Sequence, residues 1–212
     1  MARLSRASGP RHGIDRGIDT LPLIEPVRPI LSKVIPVGSE WLYEPKLDGF
    51  RGTLYIEGKR GFFRSKMKKR MARFNDLADS IARAMNVESA IFDGEIVVMR
   101  HNRVDFNALF WANGQPGYAA FDLLWLNGVD LSPLPLHKRK RKLRALTRRG
   151  PIAYIEAVRE PTLYEAVVRL DLEGIVAKRK SDAYASDTEW LKIKHRGYTQ
   201  KEGRWELFDR RR

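Results

Sequence analysis

Short runs of apolar residues, several of them alternating with polar ones, follow one another along the chain from residue 41 onward. Runs of this length that end at Gly, Asn or Asp are typical of β-strands. The pattern predicts strands in the segments WLYEPK, FRGTLYIEG, RGFFRS, SAIFDGEIVVM, YAAFDLLWLNG, EGIVAKR and EWLKIKH. EGKR at 57–60 predicts a hairpin turn between the second and third strands, and Asn127-Gly128 predicts a turn after the fifth.

In three places the apolar spacing changes to that of a helix. Residues 74–86 predict an amphipathic helix, residues 135–149 a basic helix, and residues 162–171 a third helix. The apolar positions of the first two are Phe74, Leu77, Ala78, Ile81 and Met85, and then Leu136, Leu143 and Leu146. Strand clusters mixed with a few helices predict an α/β (α+β) fold with largely antiparallel sheets and flanking helices.

The ends of the chain differ in composition from its middle. Residues 1–20 are rich in Arg, Gly and Ser and predict a basic, flexible N-terminal arm. Residues 21–40 carry four prolines and predict an extended segment that lies across the domain. We therefore expect one domain over residues 21–200 and a short basic tail over residues 201–212.

Charge and cysteine content narrow the range of functions. The 212 residues include 40 Lys and Arg against 26 Asp and Glu, a net charge of +14. Such an excess favours a polyanionic partner, most often nucleic acid or a nucleotide, over a merely solvated basic surface. No cysteine is present, which excludes disulfides, thiolate metal sites and cysteine nucleophiles. Without an apolar run of membrane-span length or an apolar signal region, the sequence predicts a cytoplasmic, nucleoid-associated protein with no membrane partner.

Several predicted strands carry charged residues that a core strand does not need. Charges flanked by Val, Ile and Trp are costly unless they are paired or bind a ligand, so a cluster of them predicts a polar cleft. Lys192 and Lys194 alternate with apolar residues and therefore share one face of their strand. The charged strand residues are Lys46, Glu95, Glu173, Lys178, Lys192 and Lys194.

Lysines and glutamates in one cleft suit phosphate chemistry. Lysines neutralise phosphate charge, and carboxylates hold divalent cations such as Mg²⁺ through oxygen ligands. Neighbouring positive charges favour the neutral, nucleophilic form of a lysine amine. Asp48-Gly49 is a common surface-turn signal, but here it would turn the chain sharply and project Lys46 into the cleft.

Five motifs in this order resemble the adenylation domain of ATP-dependent DNA ligases. That domain belongs to the covalent nucleotidyltransferase superfamily, which also holds RNA ligases and mRNA capping enzymes. KLDGFR resembles the nucleophile motif Lys-x-Asp-Gly-x-Arg, FDGEIVV the second acidic motif, and AFDLLWLNGVDL the segment whose aromatic residue stacks on the purine. EGIVAK and WLKIK resemble the last two motifs. The resemblance covers residues 22–195, and EWLYEPKLDGFR and SDTEWLKIK are similar to bacterial repair ligases in particular.

The resemblance implies the DNA ligase/mRNA capping enzyme fold, with an ATP cleft between its sheets. Lys46 would attack the α-phosphate of ATP and carry AMP as a phosphoramidate. Glu44 would line the adenine pocket, Phe121 would stack on adenine, and Arg51 would contact the ribose or the phosphates. By pattern alone, a core position is the favoured interpretation of Phe121, and only the motif around it favours stacking.

The resemblance also implies a metal and a set of phosphate contacts. Glu173 would bind the catalytic metal, Mg²⁺ or Mn²⁺, and Glu95 would hold the ribose and serve as a second metal-binding carboxylate. Lys178, Lys192 and Lys194 would contact phosphates. Partners would be nicked or broken double-stranded DNA and repair proteins.

Two features depart from the family pattern. Many ligases carry a Ser-Arg pair after the nucleophile motif, whereas here Ser65 is followed by Lys66 and preceded by Arg64. Either basic residue could take that phosphate-contact role, which we assign to Lys66. In DNA ligases an OB-fold domain follows the last motif, but the residues after WLKIK are too few for a five-stranded barrel. We expect a stand-alone adenylation domain without an OB-fold domain.

Two alternatives remain open at the level of sequence. An RNA ligase or a GTP-using capping-type enzyme would use the same motifs on another substrate. A DNA-binding accessory domain would keep the fold and need a partner for turnover.

Overall fold

The computed structural model describes residues 20–101 and 103–201. Its helices are α1 (Asn75–Ala84), α2 (Phe106–Phe110), α3 (Leu136–Thr147) and α4 (Leu163–Arg169), with single 3-10 turns at Ala72–Phe74 and Thr199–Lys201. Its strands are β1 (Ile30–Leu31), β2 (Trp41–Lys46), β3 (Phe50–Glu57), β4 (Arg60–Ser65), β5 (Ser89–Arg100), β6 (Arg103–Val104), β7 (Pro116–Leu126), β8 (Val129–Asp130), β9 (Ala153–Tyr154), β10 (Gly174–Arg179) and β11 (Leu191–Lys194).

The strands form two sheets. The smaller has the order β1-β11-β10-β2, and the larger has the order β4-β3-β5-β7-β8, with β6 beside β5 and β9 beside β7. Among these pairs, only β1 with β11 and β7 with β9 are parallel. The predicted α/β fold with largely antiparallel sheets is confirmed.

The pleat of the smaller sheet separates an apolar face from a polar one. Trp41 and Tyr43 of β2 share a buried cluster with Ile175 of β10, Ile193 of β11 and Val167 of α4. Successive side chains of a strand point to opposite faces, so Glu44 and Lys46 lie on the face away from α4. This alternation turns the charged strand residues toward the larger sheet.

The larger sheet packs its outer face on helices. Leu54, Phe92 and Ile96 form one buried cluster with Ile81 of α1 and Leu143 of α3. The predicted apolar sides of both helices are confirmed, with Leu136 and Leu143 fully buried and Leu146 partly buried. The inner face of the larger sheet is covered by a second cluster that includes Tyr55, Ile91 and Trp190.

The proline-rich segment before β2 runs extended across this inner face, as predicted. Tyr55 Oη accepts from Ile24 N at 3.0 Å, and Tyr184 Oη accepts from Val27 N at 3.2 Å. Val27 is itself 1% exposed. The segment therefore closes one side of the space between the sheets.

The remaining sequence expectations have mixed outcomes. The predicted arm and tail, except for Thr20 and Lys201 at their borders, lie outside the described residues. Within the part of the chain that the structure describes, each helix is too short or too polar to cross a membrane. The short elements α2, β1, β6, β8 and β9 were not predicted from the sequence.

Candidate active site

A cavity of about 460 Å³ lies between the two sheets. All predicted site residues line it except Lys194: Glu44, Lys46, Arg51, Lys66, Glu95, Phe121, Glu173, Lys178 and Lys192. They come from β2, β3, β5, β7, β10 and β11 and from the ends of β4 and β10, so the fold gathers residues that are far apart in the chain.

Lys46 ends β2 and points at a carboxylate. Its Nζ donates to Glu173 Oε2 at 2.6 Å, and Lys194 Nζ lies 3.8 Å from Glu173 Oε1. The antiparallel register pairs Lys46 with Gly174, which brings Glu173 next to the end of β2. Gly174 has φ +151°, and a Cβ there would lie 2.1 Å from Ile193 O, so this approach requires glycine.

The Asp48-Gly49 turn after Lys46 is buried and is not an ordinary surface turn. Asp48 is 5% exposed and accepts a hydrogen bond from Tyr198 Oη at 2.8 Å. A Cβ at Gly49 would lie 2.1 Å from Ile96 O. The turn is thus pressed against β5, which fixes the direction in which Lys46 leaves β2.

Arg51 lines the cavity but its hydrogen bonds go to the protein. Its guanidinium donates to Asp93 through Nε at 3.1 Å and Nη2 at 2.5 Å, and to Val27 O at 2.6 Å. Asp93 also accepts from Tyr184 Oη at 2.6 Å. The predicted contact of Arg51 with a ligand remains a prediction, since the structure shows a bidentate pair that holds this side chain in the cavity wall.

Glu44 is a buried carboxylate held between two lysines. Its Oε1 lies 2.7 Å from Lys140 Nζ and its Oε2 lies 2.6 Å from Lys178 Nζ. Lys178 is 1% exposed, and burial lowers its pKa against the opposing charge of Glu44. Lys178 Nζ also lies 4.4 Å from the Phe121 ring centroid and 3.9 Å from that of Trp190.

Phe121 serves both the core and the cavity. It packs edge-on against Trp190, with ring centroids 5.9 Å apart and an interplanar angle of 85°. It is only partly buried and lines the cavity, so part of its ring is available to a ligand. Both sequence interpretations of this residue describe part of its environment.

Glu95 and Lys192 have shifted pKa values that reflect the cavity. Burial raises the pKa of Glu95 to about 7, although Lys46 and Arg51 oppose the shift. Burial, followed by the charges of Lys194 and Lys46, lowers the pKa of Lys192. The carboxylate form of Glu95 and the ammonium form of Lys192 are therefore less favoured here than in water. A bound cation would favour the carboxylate, and a bound anion would favour the ammonium group.

The two basic candidates after the nucleophile motif separate clearly. Lys66 lines the cavity. Arg64 donates from Nη1 to Lys68 O at 3.1 Å, and its guanidinium lies 5.4 Å from the Phe62 ring centroid. Lys66 is thus the one of the two that faces the cavity.

Lys194 lies on the other side of Glu173. It lines a neighbouring cavity of about 290 Å³ with Lys33, Arg196 and Glu173. Its side chain is 49% exposed. Glu173 lines both cavities and lies between Lys194 and the 460 Å³ cavity that contains Lys46.

The carboxylates of the cavity fit a divalent cation whose coordination would be completed by oxygens of the substrate. Among the residues that the structure describes, no three His, Asp or Glu side chains form a metal-binding group. Glu95 and Glu173 both line the cavity. Mg²⁺ is commonly held by one or two carboxylates together with substrate phosphates, so two carboxylates are sufficient donors.

Sequence reasoning missed four buried charged residues of the site and its surroundings. Asp93 and Asp122 are both fully buried, and Arg139 forms a bidentate pair with Asp122 at 2.8 and 2.9 Å. Lys140 is the fourth. Asp93 and Asp122 carried the signal that identified Glu95, a charge within an apolar strand, whereas Arg139 and Lys140 were hidden in a basic run.

Comparison with solved structures defines the class of fold. The chain aligns with "mycobacterial DNA ligase D complexed with ATP and MES" at a TM-score of 0.70 and 23% identity, over 80% of this chain and 60% of that one. The ligase domain of Mycobacterium tuberculosis LigD gives a TM-score of 0.69 at 22% identity. The fold is that of the nucleotidyltransferase domain of ATP-dependent DNA ligases.

Sequence comparison then gives the family. The family model described as "ATP dependent DNA ligase domain" matches residues 22–194, and the chain belongs to this family. DNA ligase C2 of Mycolicibacterium smegmatis is 31% identical over 82% of this chain and 55% of its own length. Multifunctional non-homologous end joining protein LigD of Pseudomonas aeruginosa is 30% identical over 86% of this chain and 24% of its own length. The chain thus spans about half or less of these relatives.

Proposed function

We propose that this chain is an ATP-dependent DNA ligase-like nucleotidyltransferase. It forms a covalent lysyl-AMP intermediate on Lys46 and transfers AMP to a DNA 5′-phosphate, which prepares nick sealing in DNA repair or recombination. The observation that carries the proposal is the position of Lys46 Nζ, in a cavity between two sheets and 2.6 Å from Glu173 Oε2.

In the first step Lys46 Nζ attacks the α-phosphorus of ATP. An N–P bond forms, the bond between the α-phosphorus and the bridging oxygen breaks, and pyrophosphate leaves. The proton that Nζ loses has an acceptor in Glu173 Oε2. In the second step an oxygen of the DNA 5′-phosphate attacks the same phosphorus, the N–P bond breaks, and Lys46 leaves as its amine, which takes back a proton. Both steps depend more on positioning and charge neutralisation than on acid-base groups.

The other lining residues are assigned to parts of the nucleotide. Phe121 stacks on the adenine, Glu44 lines the adenine pocket, and Glu95 holds the ribose. Arg51, fixed by Asp93, borders the nucleotide. Support for Phe121 comes from its partly exposed ring in the cavity.

The remaining basic residues are assigned to phosphates. Lys66, Lys178 and Lys192 line the cavity and neutralise phosphate charge there, and Lys194 does so from the far side of Glu173. For Lys178 this requires partial release from Glu44, to which it is now paired. Glu173 and Glu95 would hold Mg²⁺ or Mn²⁺, which would supply further neutralisation of phosphate charge.

The DNA substrate is supported by charge and by family. A net charge of +14 suits a polyanion, and the names of relatives from Pseudomonas aeruginosa and Bacillus subtilis refer to non-homologous end joining. We propose nicked or broken double-stranded DNA as the substrate, repair proteins as partners and the nucleoid as the location.

Incubation with α-labelled ATP and Mg²⁺, followed by a denaturing gel, tests the proposal. Wild-type protein should retain label, Lys46→Ala should lose it, and Lys59→Ala, an exposed lysine on the β3–β4 turn, should retain it. Label that persists in Lys46→Ala would contradict the assignment of the nucleophile. Label from GTP but not from ATP would favour the capping-type alternative.

A further inference from the structure

Lys140 differs from the rest of the basic run on α3. Lys138, Arg141 and Lys142 are exposed, whereas Lys140 is 4% exposed. Arg139 beside it is also buried and paired with Asp122. The basic run of α3 is therefore divided by the helical turn into an outer face and an inner face.

The Lys140 ammonium group makes two hydrogen bonds and one ion pair, all with groups in the wall of the cavity. Its Nζ donates to Ile155 O at 2.6 Å and to Phe121 O at 3.3 Å, and it forms the 2.7 Å ion pair with Glu44 Oε1. Each of these contacts is made to the protein, at a side chain that is 4% exposed.

The three residues that Lys140 contacts belong to three separate parts of the site. Glu44 lies two residues before Lys46 on β2, Phe121 is the aromatic residue of β7 that lines the cavity, and Ile155 lines the cavity directly after β9. The side chain of Glu44 holds Lys178 in turn, against the Phe121 and Trp190 rings. The buried ammonium group of Lys140 thus contacts β2, which carries Lys46, together with β7 and the residue after β9.

We infer that Lys140 is a positioning residue of the nucleotide site. It acts through Glu44 and the Phe121 carbonyl, and it fixes the aromatic ring and the strand of Lys46 relative to each other before ATP binds. Loss of a charged hydrogen-bond donor to buried acceptors leaves these groups unpaired and free to shift. The inference rests on the proposed function, because it takes the cavity to be the ATP site.

Calorimetric titration with ATP in a Lys46→Ala background tests this role without the covalent step. Lys140→Met should weaken ATP binding about tenfold or more. Lys142→Met, one exposed lysine on the same helix, should leave it within about twofold of the parent. Unchanged affinity in folded Lys140→Met would overturn the inference. A merely structural role would lower the melting temperature without changing the affinity of the molecules that remain folded.

A second pair of variants covers the case in which Lys140→Met does not fold. Glu44→Gln removes the buried carboxylate charge, and Lys140→Met is then added to it. The double variant should still bind ATP several-fold more weakly than Glu44→Gln alone, because the Phe121 and Ile155 carbonyls lose their donor. Equal affinities would refute the positioning role.

Labelling of Lys46 distinguishes failure of the inference about Lys140 from failure of the proposed function. In Lys140→Met with Lys46 intact, the KM for ATP should rise, whereas partial unfolding would reduce only the amount of labelled protein. If the parent binds ATP but Lys140→Met leaves Kd and KM unchanged, only the inference about Lys140 fails. If wild-type protein neither binds ATP nor becomes labelled, the proposed function fails, and the inference fails with it.

Discussion

The ion pair between Arg51 and Asp93 offers a sharp test of how the cavity wall is held. Asp93 is fully buried and accepts three hydrogen bonds, two from Arg51 and one from Tyr184. The Arg51 side chain is 14% exposed. Asp93→Asn keeps the shape of the residue but removes its charge, so a nearly buried guanidinium loses its counter-ion.

The expected loss follows from burial. Removal of one partner of a buried ion pair costs about 3–5 kcal/mol of unfolding free energy, because the remaining charge is left uncompensated. The amide oxygen of Asn can still accept one of the donors, which places Asp93→Asn near the lower end, at about 3 kcal/mol. The cavity wall should loosen at the same time, since Arg51 lines it.

Equilibrium unfolding in urea measures this loss. The midpoint for Asp93→Asn should fall by about 1 M or more relative to wild type. The control is Arg103→Gln, which breaks the 3.3 Å pair with Asp171, where the Arg103 side chain is 57% exposed. This exposed pair should contribute about 1 kcal/mol or less. Equal losses in the two variants would refute the reasoning that burial decides the energy of these pairs.

Three further predictions concern other residues of the site. Burial raises the pKa of Glu95 from 4.5 to about 7, so between these pH values the folded protein holds a proton that the unfolded chain has released. The unfolding free energy of wild type should therefore fall from pH 4.5 to pH 7 relative to that of Glu95→Gln, which melting temperatures would measure. Phe121→Ala should weaken ATP binding about tenfold in a calorimetric titration, because a base loses its stacking surface. Gly174→Ala should lower both stability and the labelling of Lys46, because its Cβ would lie 2.1 Å from Ile193 O and displace Glu173.

The predictions for Glu95 and Gly174 each have a control. Glu88→Gln, at an exposed position, should show the wild-type pH dependence, and a Glu95→Gln profile parallel to wild type would contradict the raised pKa. Gly117→Ala adds a Cβ with no atom within 4 Å and should be tolerated. Gly174→Ala with wild-type labelling, or Phe121→Ala with wild-type affinity, would disprove the corresponding assignment.

Local patterns were sufficient to predict most secondary structure. Each of the seven predicted strands and three predicted helices lies within two residues of an observed one, because alternation and helical spacing extend over enough residues to be distinguished. The first helix ends at Ala84, two residues earlier than predicted, since Met85 is extended with ψ 139°. α2 has only five residues, too few to show a period, and its one local signal was Asp105, which caps it by accepting from Ala108 N at 2.8 Å.

The site was predictable in membership but not in pairing. Charges in apolar strands identified Lys46, Glu95, Glu173, Lys178 and Lys192, all of which line the cavity, because such charges need a partner or a ligand. Glu44 and Lys66, which also line it, followed only from the family resemblance. Glu44 pairs with Lys140 and Lys178, which lie 96 and 134 residues further along the chain. Pairs so distant in sequence are defined only by the tertiary fold. Lys194 shares a strand face with Lys192, but the sequence contains nothing that shows Glu173 between it and the cavity.

The most direct test of the central claim is to locate the adenylyl group. Wild-type protein is incubated with ATP and Mg²⁺, digested, and analysed by tandem mass spectrometry under alkaline conditions that preserve a phosphoramidate. The account predicts AMP on Lys46, in the peptide that contains EPKLDGF, and on no other lysine of the cavity. AMP on Lys66, Lys178 or Lys192 instead, or no adduct on a protein that binds ATP, would contradict it.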